Sequence, residues 1–258
     1  QINTTGFHNG FAFENLASSK ERVIVREDGT FLSIPDGFSV EGTSFENDLL
    51  LIQDKETKLY GYCDSEGYCA IIPQFEDANS FQNDYAPISQ NGKWSHIDLN
   101  GRVCSPAVFD SPYYFESERA IAMKNGSPVL IDTSGDTLKI LDSELTYYDF
   151  LPEGIALFSS RFYTGLIDIE GNELLPLSEE MYIDPYPTDG HFFSEGKHPV
   201  MNDEGKWGYI DLSGQIVIEC KWNRVCPFNN GLARVYLDDK MALIDHFGTI
   251  IWEEGGEE

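Results

Sequence analysis

The chain has 258 residues, and 44 Asp and Glu against 17 Lys and Arg give it a formal charge of −27. Because phosphate binding requires a clustered basic face, this acidity argues against a nucleic-acid or anionic-membrane partner. Hydrophobic residues make up 41% of the sequence, which predicts a folded core, and no run approaches the roughly 18 apolar residues of a membrane-spanning helix.

Two short markers recur along the chain and divide it into repeats. Asp-x-x-Gly occurs six times, with spacings of 34, 34, 36, 43 and 34 residues between successive Asp residues. Phe-x-x-[Gly/Asp/Glu] stands 17 to 19 residues before each Asp, and its first copy, at Phe7, is followed at that distance by Arg26 and then Gly29. The markers predict seven tandem repeats of about 35 residues. These repeats start near residues 7, 45, 81, 115, 150, 193 and 228.

Each repeat contains the same succession of predicted elements. An alternating apolar–polar run after the Phe predicts a half-buried strand, and a tight turn such as Asn91-Gly92 leads into a second strand that ends at the Asp. The Asp carboxylate is expected to accept a backbone N–H two residues ahead, while the Gly supplies a left-handed conformation. A third strand follows, and aromatic–polar pairs such as Phe75-Glu76 indicate a short fourth. We therefore predict an all-β chain of antiparallel meanders, nearly without helix.

The sixth repeat resembles a known family. Its sequence from Lys206 to Ile218, KWGYIDLSGQIVI, followed by Phe228-Asn229-Asn230-Gly231-Leu232-Ala233, is similar to the bacterial WG-repeat family. Elsewhere the Trp-Gly pair is replaced, for example by Tyr60-Gly61 and Trp94-Ser95. The resemblance implies a tandem β-repeat and brings no catalytic residues.

Repeats of this size must stack on their neighbours to bury both faces. Radial stacking gives a seven-bladed β-propeller, and linear stacking gives an open β-solenoid with polar ends. The first and last repeats are no more polar than the others, which favours the propeller and leaves the solenoid as the alternative. We expect a single domain over residues 1–252, followed by an acidic tail or linker at 253–258.

The residue types that carry catalysis or bind metals do not form a recognisable site. The six Asp residues are explained by turn geometry, and the sequence contains neither HExxH nor Cys-x-x-Cys. His96 and His246 adjoin the turns and are expected to be partly exposed. We therefore expect no enzymatic activity, no cofactor and no metal ion.

Five cysteines bear on the redox environment. Cys63 and Cys69 flank an Asp-x-x-Gly turn and are expected on adjacent strands within disulfide reach, whereas Cys220 and Cys226 share that spacing with a less certain geometry. Four of the five stand in strand contexts, where a buried thiol is ordinary. This favours reduced thiols and a cytoplasmic location, with a secreted or periplasmic one as the alternative.

One repeat, the fifth, is longer than the others and carries an insertion between Pro176 and Phe193. Insertions in repeat proteins map to loops, often on the binding face. The candidate partner-binding residues there are Met181, Tyr182, Asp184, Tyr186 and Asp189. Together with the charge, they predict a non-catalytic scaffold for a protein partner with a basic surface. The alternative is carbohydrate or cell-envelope binding through rings such as Trp94 and Trp207.

Overall fold

The computed structural model describes residues 6–15, 22–183, 193–238 and 240–255. Within these ranges all regular elements are β-strands, and 25 strands form seven antiparallel sheets. The prediction of an all-β chain built from seven meanders is confirmed. The chain divides into two compact units, Gln1–Leu141 and Asp142–Glu258. That residues 1–252 act as a single domain stays a prediction.

Unit 1 contains four sheets, which we name A to D in chain order. In each sheet the strands are hydrogen-bonded in the order in which they occur along the chain. Sheet A comprises β1 (Phe11–Asn15), β2 (Arg22–Arg26) and β3 (Phe31–Leu32). Sheet B comprises β4 (Phe38–Val40), β5 (Leu49–Asp54), β6 (Tyr60–Asp64) and β7 (Cys69–Phe75). Sheet C comprises β8 (Asp77–Ala78), β9 (Tyr85–Gln90) and β10 (Lys93–Asp98), and sheet D comprises β11 (Arg119–Lys124), β12 (Ser127–Asp132) and β13 (Thr137–Ile140).

Unit 2 contains the four-stranded sheets E, F and G, which follow the same order. Sheet E comprises β14 (Thr146–Tyr147), β15 (Ile155–Ser159), β16 (Thr164–Asp168) and β17 (Glu173–Leu175). Sheet F comprises β18 (Met181–Tyr182), β19 (Lys197–Asn202), β20 (Trp207–Asp211) and β21 (Ile216–Trp222). Sheet G comprises β22 (Arg224–Val225), β23 (Ala233–Leu237), β24 (Lys240–Ile244) and β25 (Ile250–Glu253).

The short strand of each four-stranded sheet lies at its first edge. A single residue separates β8 from the end of β7, and a single residue separates β22 from the end of β21, yet β8 and β22 each belong to the next sheet. The aromatic–polar pairs Phe75-Glu76 and Trp222-Asn223 therefore mark the passage of the chain from one sheet to the following one. The four-stranded sheets B, E, F and G have the strand number and order of a propeller blade, and sheets A, C and D follow the same order with three strands each.

The hydrophobic core lies between consecutive sheets rather than within one sheet. In unit 1, Ile71 and Phe75 of sheet B pack with Phe81 and Ile88 of the sheet C repeat. Comparable clusters join sheets A to B and C to D, and in unit 2 they join E to F and F to G. Burial of apolar surface therefore holds each sheet to its neighbour.

The glycine of the Trp-Gly pair is required by a close approach of two strands. In sheet F the register between β20 and β21 shifts at a β-bulge, and a Cβ atom on Gly208 would lie 2.4 Å from the carbonyl oxygen of Ile218. In sheet B a Cβ atom on Gly61 would lie 2.4 Å from the carbonyl oxygen of Ile71. Backbone atoms cannot move aside as a flexible side chain can, so these positions exclude a side chain.

We predict that Gly208→Ala destabilises the protein, because its methyl group collides with the backbone of β21. The expected loss in the free energy of unfolding is about 1–3 kcal/mol, the usual cost of overpacking. Denaturant unfolding followed by circular dichroism measures it. Gly37→Ala is the control, because its added Cβ meets nothing within 4 Å. Equal unfolding midpoints for the two variants would contradict the close-approach explanation.

Candidate functional site

The six repeated aspartates serve as hydrogen-bond acceptors in turns. The Asp64 carboxylate accepts the N–H groups of Glu66 and Tyr68 at 3.0 and 2.8 Å, and Gly67 has a φ of +90°. Carboxylates at the other five positions likewise accept N–H groups from two and four residues ahead; these are Asp98, Asp132, Asp168, Asp211 and Asp245. The predicted turn role is confirmed, with the second N–H as an addition.

Burial of the Asp211 carboxylate raises its pKa, but hydrogen bonds from the Ser213 side chain and from the N–H groups of Gln215 and Ser213 outweigh this effect. The net pKa of Asp211 therefore lies below its ordinary value. The hydrogen bonds of its own turn therefore keep the Asp211 carboxylate ionised, and an ionised carboxylate is a strong acceptor for backbone N–H groups.

A neutral side chain supports the same turn elsewhere in the chain. Between β19 and β20, the Asn202 side-chain oxygen accepts the Lys206 N–H at 2.8 Å, and Gly205 takes a φ of +73°. The turn thus requires an acceptor oxygen and not a negative charge.

We predict that Asp132→Ala lowers the free energy of unfolding by about 0.5–2 kcal/mol, as loss of a local side-chain cap does. Asp132→Asn, which keeps the acceptor oxygen, is expected to stay within about 0.5 kcal/mol of the parent. Chemical denaturation of both variants measures these differences. A loss with Asn as large as that with Ala would show that the charge itself is needed.

His96 is buried, so the expectation that it is partly exposed is wrong. Its Nε2 lies 2.8 Å from the Thr133 carbonyl oxygen and its Nδ1 lies 2.8 Å from the Tyr113 hydroxyl. Since a carbonyl only accepts, Nε2 carries the proton, and Nδ1 accepts from Tyr113. Burial lowers the pKa of His96 below 6.5 and outweighs the opposing effects of Thr133 and Asp132. A neutral imidazole completes this polar network.

The position of His96 within its repeat explains its burial. It follows Trp94-Ser95 as Tyr62 follows Tyr60-Gly61 and Tyr209 follows Trp207-Gly208. Both tyrosines are fully buried, and their hydroxyls donate to the carbonyl oxygens of Asn79 and Cys226 at 2.7 and 2.8 Å. Alignment of the repeats at the Trp-Gly pair is the sequence signal that identifies His96 as a core position.

We predict that His96 makes stability fall as the pH is lowered through about 6.5. The unfolded imidazole binds a proton near 6.5 and the folded one at lower pH, so the unfolded state binds more protons in between. The contribution of neutral His96 to stability is fully present above pH 6.5 and is lost as the pH falls through the pKa of the folded state. Thermal unfolding of the parent and of His96→Tyr, from about pH 8 to about pH 5, isolates this contribution. Parallel pH profiles would contradict it.

His246 is half-exposed, as predicted, and it joins sheet F to sheet G. Its Nε2 lies 2.8 Å from the Glu195 carboxylate, and its Nδ1 lies 3.0 Å from Lys197 Nζ. The ring stacks on Phe228 with 4.6 Å between centroids, and Glu195 also accepts the Gly231 N–H. The cluster ties the turn before β19 in sheet F to the turns before β23 and before β25 in sheet G.

The predicted partner-binding segment begins on the edge of sheet F. Met181 and Tyr182 form β18 and pair with Asn202 and Met201. Met181 packs against the core between sheets E and F, whereas Tyr182 is 45% exposed. The remaining candidates, Asp184, Tyr186 and Asp189, lie outside the described residues.

A second exposed aromatic residue stands on the hairpin next to this segment. Phe162, between β15 and β16, is 68% exposed, and the Arg161 guanidinium lies 5.1 Å from its ring centroid. Burial raises the pKa of Tyr163, and the neighbouring Glu179 carboxyl group adds to this rise, so the hairpin lies near the chain just before β18. We define the E–F surface by the following residues: Phe162, Tyr163, Glu179, Glu180 and Tyr182. The sequence signal that was missed is Arg161-Phe162-Tyr163, which stands where two other repeats have Asn-Gly.

The tryptophans proposed for carbohydrate stacking are half-buried. Trp94 packs against the cluster between sheets C and D, and Trp207 packs against the one between F and G. Both rings therefore contribute to packing between sheets.

The described part of the chain contains no group of three or more His, Cys, Asp or Glu residues arranged to hold a metal ion. Nor do the described ranges contain a helix long and apolar enough to cross a membrane.

Comparison with known proteins identifies the repeat. The profile of the WG containing repeat matches residues 60–94 and 207–240. The second match confirms the resemblance of the sixth repeat, and the first match adds a second copy. Each match starts at the Trp-Gly position of one sheet and ends in the next sheet, so the family repeat spans two sheets. A search of curated proteins found no match.

Solved structures resemble the chain at low sequence identity. A eukaryotic initiation factor structure shares 12% identity over 92% of this chain and 71% of that chain, with a TM-score of 0.51. BamB from Moraxella catarrhalis shares 12% over 93% and 78%, with a TM-score of 0.45. Kluyveromyces lactis Hsv2 shares 9% over 92% and 86%, with a TM-score of 0.48. The likeness to the initiation factor concerns the fold alone, which is propeller-like.

Proposed function

Since the chain carries WG-containing repeats at residues 60–94 and 207–240, we propose that it is a non-catalytic scaffold that binds a protein partner through an acidic surface. The partner presents a basic face. The observation that carries this proposal is the E–F surface, where exposed aromatic rings stand beside carboxylates.

The E–F surface combines the two features of a protein contact site. Phe162 and Tyr182 expose large apolar rings, and aromatic side chains dominate the energetics of protein interfaces. Glu179 and Glu180 are exposed beside Tyr182 in the sequence, so they form a polar, negatively charged rim. A partner that covers the rings brings basic side chains against these carboxylates.

The net charge of the chain also attracts a basic partner before the two proteins are in contact. A charge of −27 attracts a basic protein from a distance. Added salt shortens the range of this attraction, since the Debye length falls from about 10 Å at 0.1 M to about 3 Å at 1 M. Association is therefore expected to be fast at low salt and to weaken as salt is added.

The side chains most suited to chemistry are engaged in structure. The repeated carboxylates accept backbone N–H groups, and the His96 imidazole is buried with both nitrogens hydrogen-bonded. These engagements support a non-catalytic role. They also support a protein ligand over a carbohydrate, because Trp94 and Trp207 pack between sheets.

We predict that Phe162→Ala/Tyr182→Ala abolishes capture of a stoichiometric protein from source-cell lysate. Truncation of two interface aromatics typically weakens binding by about 100-fold or more. The control, Tyr68→Ala/Phe247→Ala, removes one Phe and one Tyr that are exposed in the Asp turns of sheets B and G, and it is expected to retain the partner. Quantitative mass spectrometry of the captured proteins measures both.

The same capture is repeated between about 0.05 M and about 0.5 M salt, where retention is expected to fall by about tenfold or more. Retention that is unchanged by salt contradicts the basic-partner proposal. Equal capture by the two double variants contradicts the E–F surface. Retention on envelope polysaccharide, weakened by Trp94→Ala or Trp207→Ala, would establish the carbohydrate alternative.

A further inference from the structure

Two cysteines face each other across neighbouring strands of sheet B. Cys63 ends the buried part of β6, Cys69 begins β7, and the two residues are direct partners in the antiparallel register. Direct partners in such a ladder have Cα atoms about 4.5–5.5 Å apart. This separation lies within the range of about 4.4–6.8 Å that disulfides span. The strand placement predicted from the sequence is confirmed.

The repeat architecture imposes this juxtaposition. In each other sheet with an Asp-x-x-Gly turn, the residue before the Asp also pairs with the residue six positions later. The equivalent pairs are Ile97–Val103, Ile131–Thr137, Ile167–Glu173, Ile210–Ile216 and Ile244–Ile250. Sheet B alone places a thiol at both positions, so the turn and the bulge after it place the two cysteines directly opposite each other.

Another cysteine pair in the chain has the same spacing without the juxtaposition. Cys220 lies in β21 of sheet F, and its Sγ is 3.9 Å from the Val200 carbonyl oxygen. Cys226 follows β22 of sheet G, and its N–H donates to the Arg234 carbonyl oxygen. Since these residues are not register partners, they provide an internal control.

We propose that Cys63 and Cys69 are a modification site that forms a reversible disulfide when the chain meets a small disulfide oxidant such as oxidised glutathione. Cys69 is exposed and Cys63 is fully buried, so the oxidant reaches Cys69 first. The proposal is independent of the proposed function, because it concerns sheet B of unit 1 and requires no partner.

The reaction proceeds by two thiol–disulfide exchanges. The Cys69 thiolate, having lost its proton to solvent, attacks one sulfur of oxidised glutathione, which forms a mixed disulfide and releases one glutathione thiolate. Cys63 then loses its proton and attacks Cys69 Sγ, which forms the Cys63–Cys69 bond and releases the second glutathione. Two protein thiols are oxidised by two electrons, and one glutathione disulfide is reduced to two thiols.

Burial sets the rate of this reaction. It raises the pKa of Cys63 to about 12, with a smaller contribution from the Asp64 charge, and it also raises the pKa of Cys69. Thiolate is therefore scarce at neutral pH, and oxidation is expected to accelerate as the pH rises.

The bond would close a ring around the turn that docks sheet B on sheet A. A Cβ atom on Gly67 in this turn would lie 2.4 Å from the Ser33 carbonyl oxygen, and Arg26 of sheet A donates to the Ser65 carbonyl oxygen at 3.1 Å. Oxidation therefore fixes a turn that already makes backbone contacts with the neighbouring sheet.

The test is disulfide mapping of the full-length chain. Reduced protein is exposed to oxidised glutathione at mildly alkaline pH, remaining thiols are alkylated, and peptides are analysed by mass spectrometry. Cys63 and Cys69 lie in one tryptic peptide, residues 59–93, so cleavage after Glu66 separates them and reveals a bond. The expected result is a Cys63–Cys69 disulfide with Cys220 and Cys226 not linked to each other.

Two variants test the order of attack. Cys63→Ala is expected to retain glutathione on Cys69, and Cys69→Ser is expected to leave Cys63 unmodified, because its thiol is buried. Far-UV circular dichroism checks that both fold. Glutathione that stays on Cys69 of the parent chain without a Cys63–Cys69 bond would overturn the proposal, and this result needs neither variant. Glutathione on Cys63 in folded Cys69→Ser would overturn the proposed order.

Discussion

The Asp-x-x-Gly turn is the local constraint on which the sheets depend. One carboxylate accepts two backbone N–H groups, and one glycine takes a left-handed conformation, so the chain reverses within a few residues. The turn delivers the next strand in a fixed register, with a bulge directly after it in sheets B, D, E, F and G. Its glycine also abuts the neighbouring sheet, as Gly101 does on Ile71 and Gly248 does on Ile218. One tetrapeptide thereby links the hairpin to the packing of the sheets.

The placement of the core explains why the repeat seen in sequence is not the sheet seen in structure. Apolar clusters lie between sheets, and both family matches run from the Trp-Gly strand of one sheet into the next sheet. The sequence repeat therefore spans the packed interface, which is the region whose side chains constrain one another. Trp207 illustrates this, because it belongs to sheet F and packs on the cluster shared with sheet G.

Local features of this fold are predictable from the sequence, and features set by packing are not. The seven repeats, the turn role of each Asp and the strand placement of Cys63 and Cys69 follow from short-range chemistry. The burial of His96 was missed because proximity to a turn says nothing about which face a side chain occupies. The reason for Gly208 was also missed, since a close approach of two strands depends on the bulge in the partner strand.

The candidate site shows the same division. The insertion in the sequence pointed to this region, and Tyr182 is exposed there. Met181, however, packs against the core, and Phe162 comes from a hairpin of the preceding sheet. The contribution of a separate hairpin depends on tertiary packing, which brings Tyr163 near Glu179, and not on the spacing of the insertion. An interaction surface built from two neighbouring sheets is consistent with the proposed scaffold.

Amide hydrogen exchange of the chain alone and in complex with its captured protein partner tests binding at the E–F surface most directly. Binding at the E–F surface is expected to slow exchange at residues 160–163 and 178–183 and to leave exchange in the Asp64 turn unchanged. Unchanged exchange in both segments, with new protection confined to other sheets, would contradict it.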